Sequence, residues 1–141
     1  MPQFSESIDI ARPPEDVWRA IGTPERWFEG YLETRSRSAD YPGPDTRDDH
    51  LYRTRRREEV DARVTRSEAP SVLEEDQDGK TFSRHVRYSL SPSPAGTSLR
   101  VEDDVSFKGL GKLAAPIASR DIKRRWQTSL ENLKAAAEGG R

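Results

Sequence analysis

Apolar and polar positions alternate from the start of the chain. Over residues 3–10, Phe4, Glu6, Ile8 and Ile10 fall on one side and Ser5, Ser7 and Asp9 on the other. This period of two predicts a half-buried strand, with Glu6 the one charged oddity on its apolar side. Pro13 and Pro14 stop the strand and suit the first turn of a helix, to which Val17, Trp18 and Ile21 give an apolar side and Gly22 an end. Thr23-Pro24-Glu25 starts a second short helix, with Thr23 as N-cap and Pro24 at the first helical position. The strand pattern returns from Tyr31 to Ser38, and the prolines, glycine and aspartates of 41–49 predict a loop. Leu51 to Ala69 reads as β throughout, with Val60, Ala62 and Val64 on one face and a tight reversal near Arg57–Glu59.

Asp78-Gly79 predicts a two-residue hairpin turn between SVLEED (71–76) and KTFSRHVRYSL (80–90). The turn SPSPAG (91–96) leads to a last strand, Thr97 to Phe107. From 110 to 138, Leu110, Ala114, Ala118, Ile122, Trp126, Leu130, Leu133 and Ala137 recur at steps of three and four, a helical stripe. Pro116 should kink that helix or delay its first turns. The order is strand, two short helices, about six strands, long helix. Strands joined by hairpins with helices segregated at the ends predict an α+β fold, a curved antiparallel sheet of about seven strands wrapped around the C-terminal helix. At 141 residues, 1–141 reads as one domain able to bury about two-thirds of its unfolded surface.

Composition narrows the chemistry. The chain is 32% hydrophobic and 35% charged, but 24 basic and 25 acidic residues nearly cancel, and 8% is aromatic. Disorder is expected of high net charge and few aromatics, so this balance predicts a folded domain with a thin core and a mixed-charge surface. A net charge of −1 gives no broad positive field for nucleic acid. Without cysteine there is no thiolate nucleophile, disulfide or Cys-ligated metal, and two histidines, His50 and His85, make a His-rich metal site unexpected. No cofactor or metal is expected. The N-terminus lacks a basic segment followed by an apolar one, and no run of about 18 apolar residues occurs, so a cytoplasmic protein without membrane insertion is expected. The sequence sets no oligomeric state.

Three segments carry a family resemblance. RPPEDVW (12–18) with TPERW (23–27), EAP (68–70) with AGTSLRVEDDVSF (95–107), and GLGKLAAPIASRDIKRRWQTSLENLKAAAE (109–138) resemble the START-like, or SRPBCC, superfamily in its polyketide cyclase/dehydrase branch. The resemblance spans nearly the whole chain. It implies a Bet v 1-like helix-grip fold with a hydrophobic cavity between sheet and long helix that binds an apolar small molecule. Members of that superfamily include aromatases, cyclases, lipid and quinone carriers and interaction modules, so the fold alone transfers no chemistry. This chain offers a less apolar inner sheet face than the family usually does.

The charged intruders on that face are the candidate chemistry. Phe82, Arg84, Val86, Tyr88 and Leu90 share one phase, as do Leu99, Val101, Asp103, Val105 and Phe107 on the last strand. With a four-residue loop at 92–95, Arg84 stands opposite Asp103, flanked by Phe82–Val105 and Val86–Val101. Such a pair is an anchor in a cavity wall or a structural ion pair. Ile122 and Trp126 on the helix complete the expected cavity lining of Phe82, Arg84, Val86, Tyr88, Val101, Asp103, Val105, Ile122 and Trp126. Glu6 and Glu75 share the inward phase, and the two-residue turn brings Glu75 near Arg84. A Glu75, Arg84 and Asp103 cluster would suit proton transfer to a keto or enol substrate, while a bulge would turn Glu75 to solvent. Trp18 and Trp27 are expected to pack the short helices on the sheet. His85 falls in the outward phase. His50, beside Asp48 and Asp49, reads as a solvated loop edge, with a metal-binding cluster the alternative. The run RTRRREE (53–59) reads as a solvent face.

Three functions fit these observations. The first is binding of a lipid-, polyketide- or quinone-like molecule. The second is a polyketide cyclase, aromatase or dehydratase using cavity carboxylates and tyrosines. The third is a protein-interaction module with a vestigial cavity.

Overall fold

The computed structural model describes residues 3–109 and 115–139, with side chains from Arg120 onward in the second stretch. Seven antiparallel strands form one sheet: β1 (Gln3–Ile10), β2 (Tyr31–Arg37), β3 (Arg47–Arg53), β4 (Arg57–Glu68), β5 (Val72–Asp78), β6 (Phe82–Ser93) and β7 (Gly96–Phe107). Their spatial order is β1-β7-β6-β5-β4-β3-β2, so consecutive strands pair as hairpins while β1 closes on β7. α1 (Pro14–Ile21) and a single 3₁₀ turn (Pro24–Arg26) separate β1 from β2, and α2 (Ala115–Glu138) follows β7. This is the helix-grip fold expected from the sequence. The second short helix shrinks to one turn because Trp27, at its end, leaves helical geometry.

One face of the sheet and one side of α2 build the core. Ile122, Trp126, Leu130, Leu133 and Ala137 are buried, while Lys123 and Arg124 on the far side are exposed. The stripe thus holds over the described residues; positions 110–114 of the predicted helix, and the side chains of Leu110, Ala114 and Ala118, lie outside them. Pro116 falls in the first turn of α2, where its missing N–H costs no helical hydrogen bond. Burying a large apolar side chain here stabilises by about 1.5–3 kcal/mol each.

Three boundaries differ from the sequence reading. β3 begins at Arg47, inside the segment expected to be a loop, and the β3–β4 reversal lies at 54–56 instead of 57–59. Glu58 explains the shift: its buried carboxylate accepts hydrogen bonds from the Thr54 and Thr81 hydroxyls and from the Thr81 backbone N–H. The β6–β7 hairpin closes at Pro94-Ala95, pairing Ser93 with Gly96. Gly96 has φ +144°, and a Cβ there would come within 2.6 Å of the Arg12 backbone nitrogen. Beside it the Thr97 hydroxyl donates to the Arg12 carbonyl at 2.6 Å, tying the β1–α1 connection to the hairpin.

Candidate functional site

β6 and β7 run adjacent, with β1 beyond β7 at the edge of the sheet, and their inward side chains carry the first polar group. Arg84 and Asp103 are 7% and 1% exposed, with Nη2 and Oδ2 3.2 Å apart. Trp126 of α2 donates its indole N–H to Asp103 Oδ2 at 2.7 Å. The Arg84 guanidinium lies over the rings of Phe82 and Phe28, at 5.3 and 5.9 Å from their centroids, a favourable cation–π placement. Burial lifts the Asp103 carboxyl above its ordinary range, against the pull of Arg84 and the Trp126 hydrogen bond. Arg84 Nε, Arg84 Nη1 and Asp103 Oδ1 are buried without a hydrogen-bond partner among the described residues. Buried polar atoms of this kind are few in folded proteins.

The register differs from the expected one. Arg84 pairs with Val105 and Asp103 with Val86, while Phe82 faces Phe107 and Tyr88 faces Val101. The turn is two residues long instead of four, which slides the strands by two positions and keeps every side chain on its face. The ion pair therefore forms diagonally.

A second polar group sits toward β3 and β5. Glu75 is 3% exposed and accepts a short hydrogen bond from the Tyr41 hydroxyl. Burial pushes its carboxyl up to about 7, although Tyr41 pulls the other way. Asp48, equally buried, behaves oppositely: burial disfavours its charge, but His50 and Arg37 outweigh that and hold it below the usual carboxylate range. Arg37 Nε donates to Asp48 Oδ1 at 2.9 Å and the Tyr31 hydroxyl donates at 3.0 Å. The His50 ring stacks on Tyr31 at 4.3 Å and turns Nδ1 toward the Asp48 carbonyl at 3.1 Å. Over Ala62, whose side chain is small, a void remains that Trp27, Tyr41, His50, Glu75, Gln77 and Tyr88 help to line. It has room for about one water molecule.

The chain from 1 to 138 matches the family model described as "Polyketide cyclase / dehydrase and lipid transport". The chain belongs to this family. A protein from Thermus thermophilus has a similar fold, with TM-score 0.77 at 15% identity, covering 99% of each chain. A START superfamily protein from Mycobacterium smegmatis matches with TM-score 0.67 at 20% identity over 97% of this chain and 94% of that one. The di-domain ARO/CYC StfQ from the steffimycin biosynthetic pathway matches with TM-score 0.73 at 13% identity, over 98% of this chain and 49% of that one. No curated protein matches the sequence.

In this polyketide cyclase/dehydrase family member, all nine residues expected to line a cavity are buried in the space between sheet and α2. Tyr88 borders the void just described. Val101, Asp103 and Trp126 border a smaller gap with Phe4 and Glu6, and Glu6 is half-buried on the inward side, as its phase predicts. Phe82, Arg84, Val86, Val105 and Ile122 are packed in the core.

The expected Glu75, Arg84 and Asp103 cluster does not form. The β5–β6 connection is longer than Asp78-Gly79, since Asp78 pairs with Ser83, and this places Glu75 opposite Val86. Glu75 also does not turn outward. His50 is 2% exposed, not a solvated edge, because β3 starts early enough to fix its phase inward. Asp49, one residue along the strand, points to the opposite face from Asp48 and His50, so the three do not converge on a metal. His85 lies on the outer face between Glu74 and Asp76. Trp27 packs edge-on against Tyr88 and Trp18 packs against the core, as expected. Tyr41 and Gln77 were not legible as site residues, and Asp48 was legible only as part of the alternative metal cluster: the Tyr41–Glu75 contact spans 34 residues and no local pattern announces it.

Proposed function

We propose that this protein binds an apolar, lipid-, polyketide- or quinone-like small molecule between the sheet and α2, through an oxygen that Arg84 recognises. The observation that carries this reading is that Arg84 Nε, Arg84 Nη1 and Asp103 Oδ1 are buried beside aromatic rings with no hydrogen-bond partner among the described residues. A keto, enol or carboxylate oxygen would satisfy the spare guanidinium N–H groups, and a ligand hydroxyl the spare carboxylate oxygen. The flanking Phe28, Phe82 and Trp126 suit an apolar, flat body. The membership of a family named for polyketide cyclisation and lipid transport supports the same ligand class. Among the described residues no helix is long and apolar enough to cross a membrane.

The test is native mass spectrometry of freshly purified protein, with the Arg84→Met/Asp103→Leu double variant beside it. A co-purified small molecule in the wild type, lost from a folded double variant, is the expected result. A double variant that keeps the ligand would make the pair structural. A wild type that carries nothing, and takes up nothing from a panel of fatty acids, naphthoquinones and hydroxylated naphthalenes, overturns the binding reading. The water-sized void favours one second reading, an interaction module with a vestigial cavity. That outcome of the panel is the one it expects.

A further inference from the structure

The charges of this chain nearly cancel, but the fold does not spread them evenly. Because consecutive strands pair as antiparallel hairpins, the β3–β4 turn (54–56), the β5–β6 turn (79–81) and the chain leaving β7 come to one end of the sheet. The hairpin connections at the other end, 38–46, 69–71 and 94–95, carry Asp40 and Asp45 and no basic residue. The first end carries Arg55, Arg56, Arg57 and Lys80, all exposed and without an ion pair among the described residues. Glu58 ties its two turns together by accepting from Thr54 on one and Thr81 on the other. Arg125 of α2 reaches the same place, donating to the Arg53 carbonyl and to the Tyr52 hydroxyl. The acidic groups here are already engaged: Asp121 with Arg124 and Arg125, Glu29 with Arg53, Asp78 with Lys108, and Glu33 and Glu59 with Arg35. What is left free is positive.

Leu32 stands at this end too. It opens β2 beside Tyr31, which pairs with Tyr52, and the Arg53 N–H donates to the Gly30 carbonyl two residues before it. At 41% exposure it is the one exposed large apolar side chain among the described residues. We propose that this end docks the protein on an anionic phospholipid surface, with Arg55, Arg56, Arg57 and Lys80 donating to headgroup phosphates and Leu32 seated at the boundary with the acyl chains. A guanidinium presents paired N–H groups that match two phosphate oxygens. Each Lys or Arg close to an anionic membrane strengthens attachment about fivefold, and clusters of about four to eight are the usual signature of such docking. The acidic connections at the far end are repelled by the same surface, so the charge distribution also sets the orientation.

Other anionic partners fit this end less well. Single-stranded nucleic acid is held by stacking on aromatic rings, and no described aromatic side chain is exposed. Duplex grooves admit a helix or a strand pair, whereas this end presents turns and the flank of a helix. A protein partner needs an apolar, well-packed centre, which one leucine does not make. A bilayer surface needs neither stacking nor a packed centre, because its headgroups rearrange around fixed cations. The inference stands apart from the binding reading, since none of these residues lines the space between sheet and α2.

The test is co-sedimentation of the full chain with vesicles of phosphatidylcholine, alone or with about one-third phosphatidylglycerol, at low and high salt. Wild-type protein is expected to bind the phosphatidylglycerol vesicles, to leave them as sodium chloride is raised, and to ignore phosphatidylcholine alone. Arg55→Gln/Arg56→Gln/Arg57→Gln should fold as wild type by circular dichroism and bind about a hundredfold more weakly. Leu32→Ser should add a loss that depends little on salt. Arg19→Gln/Arg66→Gln/Arg100→Gln removes the same charge away from this end and should keep binding. No binding at low salt, equal binding to both vesicles, an undiminished first triple variant, or a second one equally weakened overturns the proposal. Tighter binding of a duplex oligonucleotide than of the vesicles overturns it in favour of nucleic acid. Release by inorganic phosphate, at an ionic strength where sodium chloride leaves the protein bound, overturns it in favour of a soluble phosphate. Native mass spectrometry judges the binding reading on its own.

Discussion

Arg84 and Asp103 meet diagonally across the hairpin of β6 and β7: Arg84 lies opposite Val105 and Asp103 opposite Val86, yet Nη2 and Oδ2 stand 3.2 Å apart. Each charge is the other's compensation in a region almost closed to water. Removing one partner strands the other, which costs about 3–5 kcal/mol, whereas removing both in favour of apolar groups is often neutral or stabilising. Arg84→Met and Asp103→Leu should each lower the urea midpoint sharply, and the double variant should recover most of the loss. A double variant as unstable as the sum of the two singles would show that the pair is not coupled.

Trp126 joins this pair to α2. Its ring is buried against Phe28 and Tyr88, and its N–H is the donor that fixes Asp103. Trp126→Ala should cost about 3–5 kcal/mol in tight core. Trp126→Phe keeps most of the packing but withdraws a donor and leaves Asp103 Oδ2 to Arg84 alone, and should cost about 1 kcal/mol. If Trp126→Phe is silent in chemical denaturation, the hydrogen bond to Asp103 adds nothing to stability.

The sequence displays faces better than registers. Period-two alternation marked Arg84 and Asp103 as inward, and the helical stripe marked Trp126, because burial of one side leaves that imprint whatever the loop lengths. Register depends on where the turn closes, and SPSPAG hides a two-residue turn among prolines and serines of equal turn preference. A slide of two residues preserves faces, so the pair survived an error in its partners. The group around Glu75 was less legible. Asp48 and His50 are inward but polar, so β3 shows no hydrophobic alternation, and the turn-forming residues before it masked its start. Glu75 kept its phase, but its partner Tyr41 comes from a loop that no periodicity addresses.

His85 on the outer face gives a contrast. Partial burial disfavours its charge, but Asp76 and Glu74 outweigh that and raise its pKa. A raised value means that its contribution is fully present below the unfolded value of about 6.5 and is lost as pH rises through the folded value. The ring is 43% exposed, so solvent screens the pairs and their worth is under about 1 kcal/mol. His85→Ala should shift thermal stability slightly at pH 5.5, less in high salt, and not at pH 9. A large, salt-independent loss would mean that His85 is held by something other than these ion pairs.

Glu75 makes the opposite and larger pH signature. Its ordinary value is 4.5 and burial raises it to about 7 in the folded protein. Between those values the unfolded chain releases the proton while the folded chain keeps it, so ionisation favours unfolding. The stability that the neutral carboxyl contributes is complete below about pH 4.5, declines as pH rises, and is exhausted above about pH 7. A difference of about 2.5 pKa units corresponds to about 3 kcal/mol. Glu75→Gln keeps the shape and cannot ionise, so it isolates this group from every other titration. The difference in unfolding free energy between wild type and Glu75→Gln, from urea melts at pH 4 to 9, should move by about 3 kcal/mol in favour of the variant and then level off. Tyr41→Phe alone should extend the decline to higher pH, since without the phenol the buried charge is harder to form. A flat difference across that range would mean that water or a counter-charge reaches Glu75 and that burial does not hold its carboxyl neutral.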